Sequence, residues 1–369
     1  MAPENLPGME DSLNRHELVH SIAVALAEEA KRAGRSMCFM EVCGTHTVAI
    51  ARGGLCAMLP ESIKLISGPG CPVCVTSARD IDRAIAVAMI KGAVAVSFGD
   101  MLRVPGSLGS LETARESGGE AAVVYSPLDA LALARENPSK NVVFLGVGFE
   151  TTAPAIAATV LEAQSSGVNN FFVLPMLKTV PPALAALLSD PQCAVDGFLL
   201  PGHVSAIIGL EPYRTVLGRH KRPGVIAGFE AADILHGLRL LARACADGCY
   251  DVENAYPRAV RPEGNPVAAD MVVKVFEPCD AQWRGLGMIP ASGLRFRKEF
   301  ERFDAGTVFG LDVPETEEPA GCICGRVLAG KASPEDCALF GGACTPSTPV
   351  GPCMVSSEGS CAASYNYGK

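Results

Sequence analysis

Residues 43–47 read CGTHT, a thiol and an imidazole separated by two residues at the end of an apolar run. Cys43 and His46 are both ligands for soft or borderline metals, and an imidazole beside a thiol can also take its proton. Gly44 lets the backbone pass close to whatever Cys43 holds. One thiol and one imidazole do not complete a coordination sphere, so further ligands must come from elsewhere in the chain or from a partner. A second stretch, GPGCPVC (68–74), sets Cys71 and Cys74 in a tight turn just before a helix expected to begin near Thr76. Unpaired N–H groups at a helix N-terminus stabilise a thiolate and can lower a thiol pKa to about 3.5–7.5. The pair suits either reversible dithiol/disulfide chemistry or two metal–thiolate bonds.

The third concentration of sulfur is the tail. Of fifteen cysteines, six (Cys322, Cys324, Cys337, Cys344, Cys353 and Cys361) lie in the last fifty residues. The segment is dense in Gly, Pro and Ser and lacks long apolar periodicity, so it is expected to fold around something. Fourteen residues separate Cys322 from Cys337, six separate Cys337 from Cys344, and sixteen separate Cys344 from Cys361. Four thiolates can hold zinc or an iron–sulfur cluster. Zinc modules pair their cysteines closely, and this wide spacing favours a cluster. Cys324 and Cys353 are spare, and either could replace a chosen ligand.

Other groups have two readings each. Glu150 in GFETTAP, His203 in PGHVS and Asp100 in GDMLRVPG could supply a proton or orient a ligand, or could cap the next helix. HELVH (16–20) matches the H-E-x-x-H pattern of zinc proteases, with His16 and His20 on one helix face and Glu17 as base. The same helix reads as an amphipathic element with Val19, Ile22 and Leu26 inward, and no third ligand follows. GVGFET resembles a dinucleotide loop only superficially, because Thr151 stands at the third glycine position. Cys38, Cys56, Cys193, Cys245, Cys249 and Cys279 read as structural.

The elements that must position these groups alternate. Apolar runs at 37–42, 63–67, 93–98, 121–125, 141–147, 170–174, 197–200 and 224–228 are separated by helical patterns. That alternation indicates parallel sheets covered on both faces. The expected architecture is an N-terminal helix (1–34) and two Rossmann-like α/β domains (35–125 and 126–250), followed by a C-terminal region (251–369). Ligands of open α/β sheets bind beyond the carboxyl ends of strands. CGTHT, GPGCPVC, GDMLRVPGS, GFETTAP and PGHVS all fall there, so they are expected to share one cleft. A formal charge of −9 argues against a nucleic-acid partner, which needs a clustered basic face. No eighteen-residue apolar window suggests a membrane span, and the first twenty residues lack the layout of a secretory signal, so the expected compartment is the cytoplasm.

With those loops in order, the chain resembles the HypD family of NiFe-hydrogenase maturation factors over nearly its whole length. CGTHT, GPGCPVC, FGDMLRVPGS, GFETTAP, PGHVS and the cysteine-rich tail occur in the family's order, and the tail spacing agrees with its C-x14-C-x6-C-x16-C pattern. The resemblance implies a [4Fe–4S] cluster on Cys322, Cys337, Cys344 and Cys361. It implies that Cys43 is the ligand of a transient iron receiving two cyanides and one carbon monoxide, with His46 beside it. It implies that Cys71 and Cys74 are a redox pair fed by the cluster, similar to ferredoxin–thioredoxin reductase. The implied partners are a HypC-type chaperone and a HypE-type cyanide donor, met by a chain otherwise monomeric. The rival readings are a stand-alone iron–sulfur dithiol reductase and, more remotely, a zinc protease acting through HELVH.

Overall fold

The computed structural model describes residues 7–314 and 318–368. All eight apolar runs are strands: β1 (Met37–Glu41), β2 (Ile63–Ser67), β3 (Ala93–Ser97), β4 (Ala121–Val123), β5 (Asn141–Gly148), β6 (Phe171–Leu177), β7 (Gly197–Pro201) and β8 (Gly224–Ala227). A short β9 (Val252–Asn254) extends the series. Two sheets result, one ordered β2-β1-β7-β8-β9 and the other β4-β3-β5-β6. Every pairing in both is parallel. Residues of β3 and β7 are buried throughout, as expected of strands covered by helices on both faces.

A division near residue 125 does not follow the sheets. The chain lays down β1 and β2, leaves to build the whole second sheet from β3 to β6, and returns so that β7 pairs with β1. Sheet membership depends on which strand edges meet, and contiguous apolar runs carry no information about that. The first α/β unit is therefore discontinuous in sequence.

Helix α1 (Pro7–Ala33) covers the first sheet, with Leu26 and Ala30 fully buried and Val19 and Ile22 packed against the same core. The region after residue 251 holds an antiparallel hairpin absent from the sequence reading, β10 (Phe276–Trp283) and β11 (Gly287–Phe296), with a bulge between Cys279 and Ala281. Trp283, at the end of β10, is completely buried; it stacks on Phe149 and donates its indole N–H to Ser292. The hairpin thus ties the GFETTAP loop to the centre of the molecule.

Register places the chemistry. Glu41, the last residue of β1, lies opposite Ser67 of β2 and Leu199 of β7. CGTHT, GPGCPVC and PGHVS consequently leave the first sheet at one edge.

Candidate functional site

CGTHT opens helix α2 (Gly44–Arg52), with Cys43 as its extended N-cap. The Cys43 thiol sits at the N-terminus of α2, where the backbone N–H groups of the first turn favour its thiolate without a formed capping hydrogen bond. Burial opposes that stabilisation and wins, pushing the Cys43 thiol up to about 12. Behind it stands Glu41, 1% exposed, whose carboxyl oxygens accept from the Cys43 N–H (3.0 Å) and the Thr47 hydroxyl (2.5 Å). Burial lifts this carboxyl to about 7. Glu41 and Thr47 also line a cavity of about 560 Å³ between β2, α2 and the C-terminal helix Ser360–Tyr367.

His46 is fully buried, with Nε2 2.8 Å from the Gly228 carbonyl oxygen. A carbonyl only accepts, so Nε2 carries the proton and Nδ1 presents a bare lone pair without a partner. Desolvation drives the imidazole down to about 4, which keeps it neutral and leaves its lone pair free for a metal. His46 and the exposed His203 both pack on Phe229, at 4.8 and 4.1 Å between ring centroids. PGHVS therefore meets CGTHT through an aromatic wedge.

GPGCPVC docks directly on this corner. The Gly44 N–H donates to the Gly70 carbonyl at 2.9 Å. A methyl group at Gly70 would fall 2.1 Å from the Cys43 nitrogen, so only glycine allows the two loops to touch. Cys71 caps the four-residue helix α3 (Pro72–Val75), and its sulfur accepts the Cys74 N–H at 3.3 Å. Both thiols are buried. The expected lowering of the thiol pKa does not occur at Cys74: burial pushes it well above its ordinary value, because one helical turn cannot offset complete desolvation.

The tail supplies the unexpected connection. All six of its cysteines line one cavity. Cys353, Cys324, Cys322 and Cys361 pack into the same core as Cys71 and Cys74, which sets Cys353 and Cys324 between the GPGCPVC turn and the tail cavity. The two cysteines left over by the spacing pattern are thus the link between GPGCPVC and the tail. Glu358, between Cys353 and Cys361, accepts from the Thr45 hydroxyl at 2.8 Å and packs against the Gly44 backbone. Nothing in the spacing pattern pointed to Glu358, and Glu41 showed only as one carboxylate inside an apolar run.

The donor set of the cavity fits an iron–sulfur cluster. Cys322, Cys337, Cys344 and Cys361 all face it, a Cβ at Gly351 would lie 2.7 Å from the Cys322 sulfur, and the Val350 N–H donates to the Cys344 sulfur at 3.3 Å. Among the described residues no three Cys, His, Asp or Glu side chains are gathered to hold a single ion. A cubane does not require that, since each iron takes one thiolate.

Glu150 is buried next to Phe149, which packs in the core that holds Cys71 and Cys74. Its Oε1 accepts the Val180 N–H at 2.8 Å, so it caps the helix Val180–Leu188, while Oε2 has no partner and burial raises the carboxyl to about 7. GFETTAP and PGHVS contribute Phe149 and Val204 to the same core as Cys71, Cys74, Cys324 and Cys353. Asp100 stays in a short 3-10 turn, Gly99–Arg103. That loop is anchored instead by buried Asp82 of helix α4 (Ala78–Ala88), which accepts from Ser107 and Leu108. His16 and His20 are exposed on α1, and among the described residues no third metal-ligating side chain is gathered with them, which speaks against the protease reading. Of the cysteines read as structural none is fully buried, and Cys56 and Cys249 are exposed.

Two parallel sheets, the first of which delivers both thiol loops to one edge, joined to a six-thiol cavity, define an α/β thiol protein. No helix is long and apolar enough to cross a membrane among the described residues. A family model, HypD, described as the hydrogenase formation hypA family, matches residues 17–368. The hydrogenase maturation factor HypD of Cupriavidus necator is 44% identical over 361 residues, 96% of this chain and 95% of its own. The protein of the same name from Escherichia coli is 42% identical over 364 residues, 97% of each chain. The chain belongs to the HypD family of hydrogenase maturation factors.

Proposed function

We propose that the chain is a scaffold on which a ferrous fragment carrying two cyanides and one carbon monoxide is assembled for a NiFe-hydrogenase. The observation that carries this reading is the continuous line of sulfur from Cys71 and Cys74 through Cys353 and Cys324 to the tail cavity, with Cys43 against the same turn. Cys43 is the ligand of the travelling iron. Cyanide and carbon monoxide favour low-spin ferrous iron, which a thiolate also stabilises. Cys43 gives up its proton to solvent as the metal binds, and His46, held neutral by burial, adds no positive charge to the corner. The remaining ligands come from a HypC-type chaperone, and cyanide arrives from a HypE-type donor. CGTHT therefore needs only half a coordination sphere.

Delivery of cyanide from a thiocyanate breaks a carbon–sulfur bond and consumes two electrons. Oxidation of Cys71 and Cys74 to a disulfide releases those electrons with two protons, one taken by the donor's leaving thiolate and the other by solvent, while cyanide passes to the iron as the anion. The disulfide is reopened by exchange: Cys353 attacks Cys74, and Cys324 then displaces Cys74 from Cys353, so that Cys324 and Cys353 end as the disulfide. A [4Fe–4S] cluster on Cys322, Cys337, Cys344 and Cys361 supplies single electrons to this chain of thiols when bound.

Infrared spectroscopy of the protein co-purified anaerobically with its small partner tests the reading. Cyanide and carbon monoxide bands are expected from the wild type and their complete loss from Cys43→Ala, with about four irons and four sulfides per chain remaining. Unchanged bands in Cys43→Ala sink the scaffold. A stand-alone dithiol reductase would instead keep its disulfide turnover in Cys43→Ala.

A further inference from the structure

Arg284 follows β10 and is 1% exposed, one of the largest fully buried side chains of the chain. Its backbone N–H donates to the Val75 carbonyl at 2.9 Å, directly after Cys74. The next residue, Gly285, has φ +73° and packs so tightly that a Cβ there would meet Gly325 Cα at 2.0 Å. Residues 284 and 285 are thereby fixed beside the Cys322–Cys324 turn. Within the guanidinium, Nη2 donates to the Pro105 carbonyl at 3.0 Å. Nε lies 3.1 Å from a carboxylate oxygen of half-exposed Glu318 without making an aligned hydrogen bond, and Nη1 has no partner. A buried cation with unsatisfied donors is costly unless an anion completes it.

We propose that Arg284 is the counter-charge of the metal–thiolate centre in the tail, and that it sets how readily that centre accepts an electron. The inference rests on the cluster reading above. Four thiolates on a [4Fe–4S]2+ core leave a net charge of −2, and reduction adds another negative charge. A guanidinium fixed next to the turn that carries Cys322 and Cys324 favours both states over an uncompensated site and the reduced one more. Arg284 is thus a positioning and tuning residue, and Glu318 moderates it from the solvent side.

The test uses the full chain, purified anaerobically, with iron and sulfide assays followed by a redox titration monitored by electron paramagnetic resonance. Arg284→Met is expected to make the centre at least tenfold harder to reduce at a given potential, about 59 mV for a one-electron couple. Arg284→Lys, which keeps the charge, should recover most of that loss. Glu318→Gln, at a half-exposed site where folding is not at stake, should shift the midpoint the opposite way by about threefold. Loss of iron from Arg284→Met with retention in Arg284→Lys also supports a counter-charge. Midpoints identical in wild type, Arg284→Met and Glu318→Gln overturn it, as does equal loss of iron from folded Met and Lys variants. A wild-type chain without iron and sulfide instead defeats the cluster reading itself.

Discussion

The corner around Cys43 and the cavity around the tail thiols are built on opposite principles. At the corner, a parallel sheet ends in register, a helix begins, and backbone hydrogen bonds join two loops around buried Glu41 and His46. Among the described residues of CGTHT and its neighbours Glu41 and Gly70, His46 Nδ1 is the buried side-chain atom left without a partner. The tail has helices of only four, five and eight residues, and a small core of Cys344, Met354 and Ala362. Sulfur lines its centre. A site organised by backbone exists before its cargo arrives, whereas a site organised by thiols needs its occupant to complete it.

The largest expected effect separates the two by a pair of glycines. Gly70→Ala forces a methyl carbon to 2.1 Å from the Cys43 nitrogen and 2.3 Å from the Val42 carbonyl carbon, contacts that no rotamer change relieves. A loss of about 3 kcal/mol or more is expected in denaturant unfolding. Gly342→Ala, in the tail, meets nothing nearer than the Leu339 carbonyl at 3.9 Å and should stay within about 0.5 kcal/mol of wild type. Equal effects at the two positions would remove the distinction between a backbone-built corner and a cargo-built tail.

A smaller effect concerns buried acid, which the cleft contains and the tail cavity does not use. Glu150 titrates near 7 in the folded chain against an ordinary 4.5. The folded state therefore holds the proton more tightly. The stability this contributes is complete below about pH 4.5 and is lost as pH rises through 7, up to about 3 kcal/mol. Glu150→Gln keeps an acceptor for the Val180 N–H and cannot ionise. It should raise the melting temperature at pH 8 and match wild type at pH 5. A variant equally stable or less stable at pH 8 would show that the carboxylate finds compensation in the folded cleft.

How much of this was legible varies with the physics. Eight strands could be read because residues buried on both faces must be apolar, and that is visible locally. Their partition into sheets could not, because β1 meets β7 only after the whole second sheet has been built. The hairpin β10–β11 escaped because one of its faces is open, leaving Glu277, Asp280 and Arg295 among its apolar residues. The reactive loops were legible from their place after strands. Cys324 and Cys353 were not, since spacing predicts ligands along the chain and says nothing of which sulfur approaches Cys74 through space. The thiol pKa expectation failed at Cys74 because a helix N-terminus is visible in sequence and burial is not.

The smallest expected effect probes the one polar strut between corner and tail, the Thr45–Glu358 hydrogen bond. Thr45 sits in the first turn of α2 and Glu358 just ahead of the helix that carries Cys361, so the bond couples the Cys43 loop to the tail. Thr45→Val keeps the shape and removes the donor, a change of about 1–2 kcal/mol for a bond to an acidic group. Because the sheets do not depend on it, global unfolding should barely move. Local opening of the tail should instead become about tenfold more frequent, read as faster hydrogen exchange at Gly359 and Ala363, whose N–H groups bond to Ser356 and Gly359. If their exchange is unaltered, the hydrogen bond is not what couples the two regions, and the packing of Glu358 on Gly44 and of Cys353 into the core of Cys74 holds corner and tail together.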